Sequence, residues 1–159
     1  MMNLARPRAP SVSTVDIARV ARDVVQLARR TRSDDFADIG YTGPEVVMAL
    51  ADAAQVRQVL WNLVRNAIQA SAGTPVQVRL ASEAKLAIVE VEDHGPGIPE
   101  EMRERVFEPF VTTRSKGVGI GLAVVKQIVD AHGGSVRVLP AQGGGTTFRI
   151  ELPTGVPKA

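Results

Sequence analysis

The chain has 159 residues, 45% of them hydrophobic, no cysteine and a formal net charge of +2. This length supports one domain with a real core rather than two, and the missing thiols exclude disulfides and thiolate metal sites, which fits a cytoplasmic protein. No run approaches the about 20 apolar residues of a membrane span, and no long basic or aromatic–basic stretch is present, so neither direct membrane insertion nor a nucleic-acid partner is expected.

Residues 1–12 hold two prolines and small residues and read as an irregular basic leader or a linker remnant. The domain proper is expected over 13–155, with 156–159 as a tail. Thr14–Ile17 predicts a short strand. Ile17, Val20, Ala21, Val24, Val25, Leu27 and Ala28 trace a helix to about Arg30. A strand near Asp35–Tyr41, a turn at Thr42-Gly43-Pro44 and a strand over Val46–Leu50 follow, and Asp52 is placed to cap the next helix.

That helix, Gln55–Gln69, separates into two faces. Val56, Val59, Leu60, Leu63, Val64, Ala67 and Ile68 form an apolar stripe. Gln55, Gln58, Asn62, Asn66 and Gln69 form a stripe of uncharged amides, where a solvated face ordinarily carries Lys, Glu and Arg. Two readings stand. Amide oxygens are hard ligands for Mg²⁺ and amide NH₂ groups donate to phosphate; alternatively the stripe is a polar edge packed on a neighbouring loop.

Val76–Leu80 and Leu86–Glu92 alternate as a hairpin. Asp93 falls in phase with Ala87, Val89 and Val91, so a carboxylate ends a core-facing row, which is costly without partners. Gly95 and Gly97 follow at once in a tight turn that brings backbone close to something. A buried acceptor beside glycines suits a flat amine-bearing ligand such as adenine; a carboxylate capping its own turn is the other reading. Glu100–Val106 is expected as a short helix. In Thr112–Leu122, three glycines at spacing two (Gly117, Gly119, Gly121) run into a helix predicted to reach Ala131. Such a loop presents N–H groups to an anion, with Arg114 and Lys116 adding charge; a plain glycine-rich surface loop is the alternative. It is neither a Walker A loop nor a dinucleotide fingerprint. Ser135–Leu139 and Thr146–Leu152 close the sheet, with Phe148, Ile150 and Leu152 inward. His94 reads as an exposed loop residue, and His132 as a helix C-terminal residue whose charge suits the dipole. The pattern predicts a two-layer α/β sandwich: a mixed, mostly antiparallel sheet with helices on one face.

Together these segments resemble the ATP-binding domain of two-component sensor histidine kinases. Asn62–Ser71 is similar to that family's N box, Asp93–Gly97 to its G1 box, Phe107–Phe110 to its F box, Gly117–Ala123 to its G2 box and Gly144–Phe148 to its last glycine box. The resemblance runs from about residue 14 to 153, and the short stretch between Phe110 and Gly117 resembles the compact lid of the nitrogen-regulator type. It implies the Bergerat ATP-binding fold, with ATP and Mg²⁺ as cofactors. By resemblance Asn66 is the Mg²⁺ ligand, with Asn62 beside it or one water away. Asp93 accepts from the adenine amino group, Thr147 bridges near it, and Gly95, Gly97 and Ile98 pass the base. Gly117, Val118, Gly119, Gly121 and Leu122 form the phosphate loop and its helix start. Thr113, Arg114 and Lys116 belong to the lid, the last two as candidate γ-phosphate contacts, and Phe107 and Phe110 pack its hinge. Gln69 stands where many relatives carry Lys or Arg.

Neither His94 nor His132 has the setting of the family's phosphoacceptor. The chain therefore resembles the catalytic half of a protein-histidine kinase. Its expected partners are a histidine-bearing dimerisation hairpin and a response-regulator receiver domain. The ATPase relatives of the fold place Glu four residues before the magnesium Asn, where this chain has Asn62, so no general base for hydrolysis is evident. An anti-sigma-type serine kinase and a non-catalytic nucleotide-sensing domain are the alternatives.

Overall fold

Asp16 decides how the chain starts. In the computed structural model, which describes residues 8–31, 38–71, 73–108 and 121–155, β1 (Ser13–Asp16) runs straight into α1 (Ile17–Thr31). The Asp16 carboxylate accepts the N–H of Ala18 at 3.1 Å, capping the helix, and that of Val47 at 3.0 Å. This second bond holds Val47 outside the ladder, so β3 is Met48–Ala51 rather than Val46–Leu50. β1 and β3 pair antiparallel as a two-stranded ribbon separate from the main sheet, whereas the sequence pattern suggested a single sheet. α1 buries Ile17, Val20, Ala21, Val24, Val25 and Ala28, while Leu27 at the edge of that stripe is exposed.

The main sheet has order β2-β4-β5-β7-β6. β2 is Ile39–Thr42, where a strand near Asp35–Tyr41 is expected, with 32–37 outside the described residues, and it runs parallel to β4 (Val76–Glu83). β5 (Leu86–Asp93), β7 (Thr146–Pro153) and β6 (Ser135–Pro140) are antiparallel. Val78, Val91, Phe148 and Ile150 are among the inward residues, each 1% exposed or less. The outer face carries a charge lattice. Glu90 takes Arg79 and Arg149, and Glu151 takes Arg149 and Arg137. Pairs of this kind contribute a few tenths of a kcal/mol each.

α2 (Ala53–Ser71) lies between α1 and α3 (Gly121–Ala131) on the inner face. Its buried stripe is Val56, Val59, Leu60, Leu63, Val64, Ala67 and Ser71. Leu63 is 0% exposed; truncating such a residue to Ala costs about 2–5 kcal/mol. Gln55 is also buried, so the amide stripe is not uniform. α3 ends in two crossed bonds, Gly134 N–H to Val129 O and Gly133 N–H to Asp130 O, both 3.0 Å, with Gly133 at φ +76°. That left-handed turn is the stop the Gly133-Gly134 pair predicts.

The helix expected over Glu100–Val106 is instead two 3₁₀ turns, Glu100–Met102 and Arg105–Phe107. Met102 N–H bonds Pro99 O and Glu108 N–H bonds Arg105 O, each three residues back. Only Val106 is buried there, so no apolar stripe holds a longer helix. Among the described residues no helix is long and apolar enough to cross a membrane.

Candidate functional site

The polar groups of the helical layer gather at the two ends of α2. At its start, Asp52 is 3% exposed. Its carboxylate caps the helix by accepting Gln55 N–H at 3.1 Å, accepts Ser11 N–H at 2.8 Å and takes both terminal nitrogens of Arg8. Gln55 Nε2 returns a bond to Arg8 O at 2.7 Å. Arg8's hydrogen bond, followed by the Ser11 and Gln55 N–H groups, holds the Asp52 carboxyl far below its ordinary value, against the opposing effect of burial. The Asp52 N–H donates to His132 Nε2 at 3.0 Å, and His132 Nδ1 lies 2.9 Å from Ile128 O. An accepting Nε2 places the ring proton on Nδ1, which donates to that carbonyl. His132 is thus a neutral tie between α3 and α2, not a cation on the helix dipole.

Asn62 and Asn66 lie further along α2, both half-buried. Asn62 is about 15 Å along the axis from Asp52. Its Nδ2 donates to Gly121 O at 3.1 Å. Asn62 therefore ties α2 to the first turn of α3, a structural role beside the one expected of it. Leu122 is half-buried against the core and Gly121 exposed at the helix start. Gln69 is exposed, and Ile98 packs partly buried on the core.

Asp93 closes β5, 2% exposed, in phase with buried Val91 as its register predicts. Its Oδ1 accepts Gly95 N–H at 2.9 Å, so the turn cap is real. The glycines beside it approach protein backbone. A Cβ on Gly95 would stand 2.3 Å from Ala70 O, at the end of α2, and one on Gly145 2.1 Å from Asp93 O. Gly97 holds φ +81°. Gly95 is thus needed for the crossing with α2.

One assignment is displaced by a residue. Asp93 pairs with Thr146, whereas Thr147 pairs with Glu92 and Leu139. Side chains alternate along a strand. Thr146, 4% exposed, therefore shares Asp93's inner face, and Thr147 belongs to the face of Arg149 and Glu151. Phe107 meets Phe148 of β7 edge to face at 6.1 Å between centroids, while the lid whose hinge it is expected to pack lies outside the described residues. His94 is exposed, its Nδ1 3.3 Å from Gly144 O. Phe110, Thr113, Arg114, Lys116, Gly117, Val118 and Gly119 lie outside the described residues.

Among the described residues no three His, Asp or Glu gather to hold a metal. The Asn62–Asn66 edge offers neutral amide oxygens. That donor set fits Mg²⁺ taking most of its ligands from phosphate and water, the usual state of this ion, and does not fit a softer metal.

Residues 51–156 match the family of histidine kinase-, DNA gyrase B- and HSP90-like ATPases. The chain belongs to that family. It resembles its sensor histidine kinase members throughout. It is 34% identical over 96% of its length to the C4-dicarboxylate transport sensor protein DctS of Rhodobacter capsulatus, of which it spans 24%. Among solved structures, the mycobacterial sensor histidine kinase MprB superposes with a TM-score of 0.81 at 35% identity, covering 90% of this chain and 97% of that one. Histidine kinase ThkA, solved in complex with the response regulator TrrA, superposes at 0.80 and 29% identity, over 92% of this chain and 42% of that one. The fold is that of the histidine kinase catalytic domain, as expected.

Sequence reasoning missed Ser71, Thr146 and the Arg8–Asp52–His132 cluster. The first two carried a signal: Ser71 continues the buried spacing from Ala67, and Thr146 shares the parity of Phe148.

Proposed function

We propose that this chain binds Mg-ATP between the Asn62–Asn66 edge of α2, the Asp93 end of β5 and the start of α3. It then supplies the γ-phosphate to a histidine on a separate helical hairpin. The observation that carries the reading is the pair Asp93–Thr146, two buried polar side chains abreast on the inner face beside the amide edge. A carboxylate there accepts from an exocyclic amine, and a wrong base leaves it unpaired, so discrimination is strong. Asn66, with Asn62 near it, would hold Mg²⁺, which would supply neutralisation of the phosphate charge. The sequence adds N–H donors from Gly117, Gly119 and Gly121 and charge from Arg114 and Lys116.

Phosphoryl transfer asks the protein mainly for position and charge neutralisation. The bond from the γ-phosphorus to the β-bridging oxygen breaks, a nitrogen–phosphorus bond forms at the accepting imidazole, and ADP leaves. The imidazole proton passes to an acidic residue beside that histidine. The phosphoryl group then moves to an aspartate of a receiver domain, in the cytoplasm. Calorimetric titration of ATP with and without Mg²⁺ tests the nucleotide step. Magnesium-dependent binding is expected, and no binding at millimolar ATP would leave a fold without the activity.

A further inference from the structure

Six buried residues are polar or charged among those described: Asp52, Gln55, Ser71, Asp93, Thr146 and Thr147. Asp52 and Gln55 bond one another and Arg8 at the start of α2. Thr147 lies under the outer face. Ser71, Asp93 and Thr146 remain, and all three are brought to the other end of α2.

Ser71 is 2% exposed, and its Oγ meets no hydrogen-bond partner. A buried unpaired hydroxyl costs about 1–3 kcal/mol, and native proteins nearly always pair such groups. The ordinary escape for a helical serine is a bond back to the carbonyl four residues earlier, here Ala67. Ser71 does not make it. Gln55 Oε1 is also unmet, but its amide nitrogen is bonded, and Tyr41 and Gln127 are only half-buried. Ser71 is the buried residue whose whole polar group is left over.

Its place is set by its neighbours. The carbonyl of Ala70 lies against Gly95, and Gly95 N–H bonds Asp93. Ser71 O takes Thr74 N–H and its hydroxyl, which turns the chain into β4. There Gln77 pairs with Glu92, the residue before Asp93. Ser71 thus directly follows the residue whose carbonyl meets Gly95, two positions after Asp93.

The chemistry of the three groups is complementary to one nucleobase edge. An ionised carboxylate only accepts, whereas a hydroxyl both donates and accepts. Adenine offers an amino donor beside a ring-nitrogen acceptor. Asp93 answers the donor and a hydroxyl must answer the acceptor. Guanine reverses both and sets a carbonyl against the carboxylate. We infer that Ser71 is a base-selecting residue, whose hydroxyl, with Thr146, satisfies the adenine ring nitrogen directly or through one ordered water. This rests on the nucleotide reading above and names a residue that the reading does not contain.

The test is titration of ATP and GTP into wild type, Ser71→Ala and Ser71→Thr, with thermal unfolding of each without nucleotide. In Ser71→Ala, ATP affinity is expected to fall about 3- to 10-fold, the weight of one hydrogen bond, while GTP affinity is unchanged. The unfolding temperature without nucleotide should hold or rise, because an unmet hydroxyl is removed. Ser71→Thr should recover the ATP-to-GTP ratio. A ratio unmoved in Ser71→Ala overturns the role of Ser71, as does a lowered unfolding temperature with both nucleotides weakened alike. Wild type that binds no ATP overturns the nucleotide reading and this inference together.

Discussion

Each end of α2 has a buried aspartate beside it, and the two sites are finished differently. Around Asp52 the chain meets its own needs: a guanidinium, two N–H groups and the ring of His132 are all supplied from within. Around Asp93 the chain supplies a turn cap and close glycine crossings, and leaves the Ser71 hydroxyl unmet. The first is a cluster that joins the incoming segment, α2 and α3. The second has the composition of a ligand site. A buried charge is therefore not by itself a functional signal; what separates the two is that Gln55 beside Asp52 still bonds through its amide nitrogen, whereas the Ser71 hydroxyl meets no partner at all.

Substitutions at the two ends should separate binding from stability. The largest effect is expected from Asp93→Asn. Titration should show ATP binding weakened about 10- to 100-fold, the worth of a hydrogen bond to a charged group, and a narrower gap between ATP and GTP. Unaltered binding would move the base elsewhere. Asp52→Ala should do the reverse. Denaturant unfolding should show a loss of about 1–2 kcal/mol from the cap alone, with ATP affinity held within about twofold. A large loss of affinity would mean that the two ends are coupled through α2.

A pH series sharpens the comparison further. Asp52 is depressed in the folded state from its ordinary 3.8. Its stabilising contribution is thus fully present above that value and is lost as pH falls below it toward the lower folded value. Arg8→Ala removes the largest cause of the depression, so its acid unfolding between pH 4 and 2 should be shallower than that of wild type, about equally sloped curves counting against the pair. The smallest effect is expected on the outer face of the sheet. Glu90→Gln breaks contacts to Arg79 and Arg149, yet unfolding should shift by less than about 1 kcal/mol, because these pairs remain solvated.

Much of this was legible because local chemistry and tertiary need coincide. Alternation placed Asp93 inward, Asp52 read correctly as a cap, and the Gly133-Gly134 pair stopped α3 where expected. The failures share a cause. Thr147 was named for Thr146 because two adjacent threonines differ only in strand parity, and parity is set by pairing with Asp93. The region from Glu100 to Val106 had helix-forming residues but no apolar stripe to hold a helix. His132 looked like a cation suited to a dipole until its partner, the Asp52 N–H, was found 80 residues away in sequence.

By itself, then, the sequence determined the element types, the inward rows and the family, since periodicity and box spacing are local properties of the chain. Which strands form the separate ribbon, which threonine faces Asp93, and whether each buried polar group is met were decided only by tertiary structure. Those facts depend on distant backbone donors and acceptors that no local pattern records.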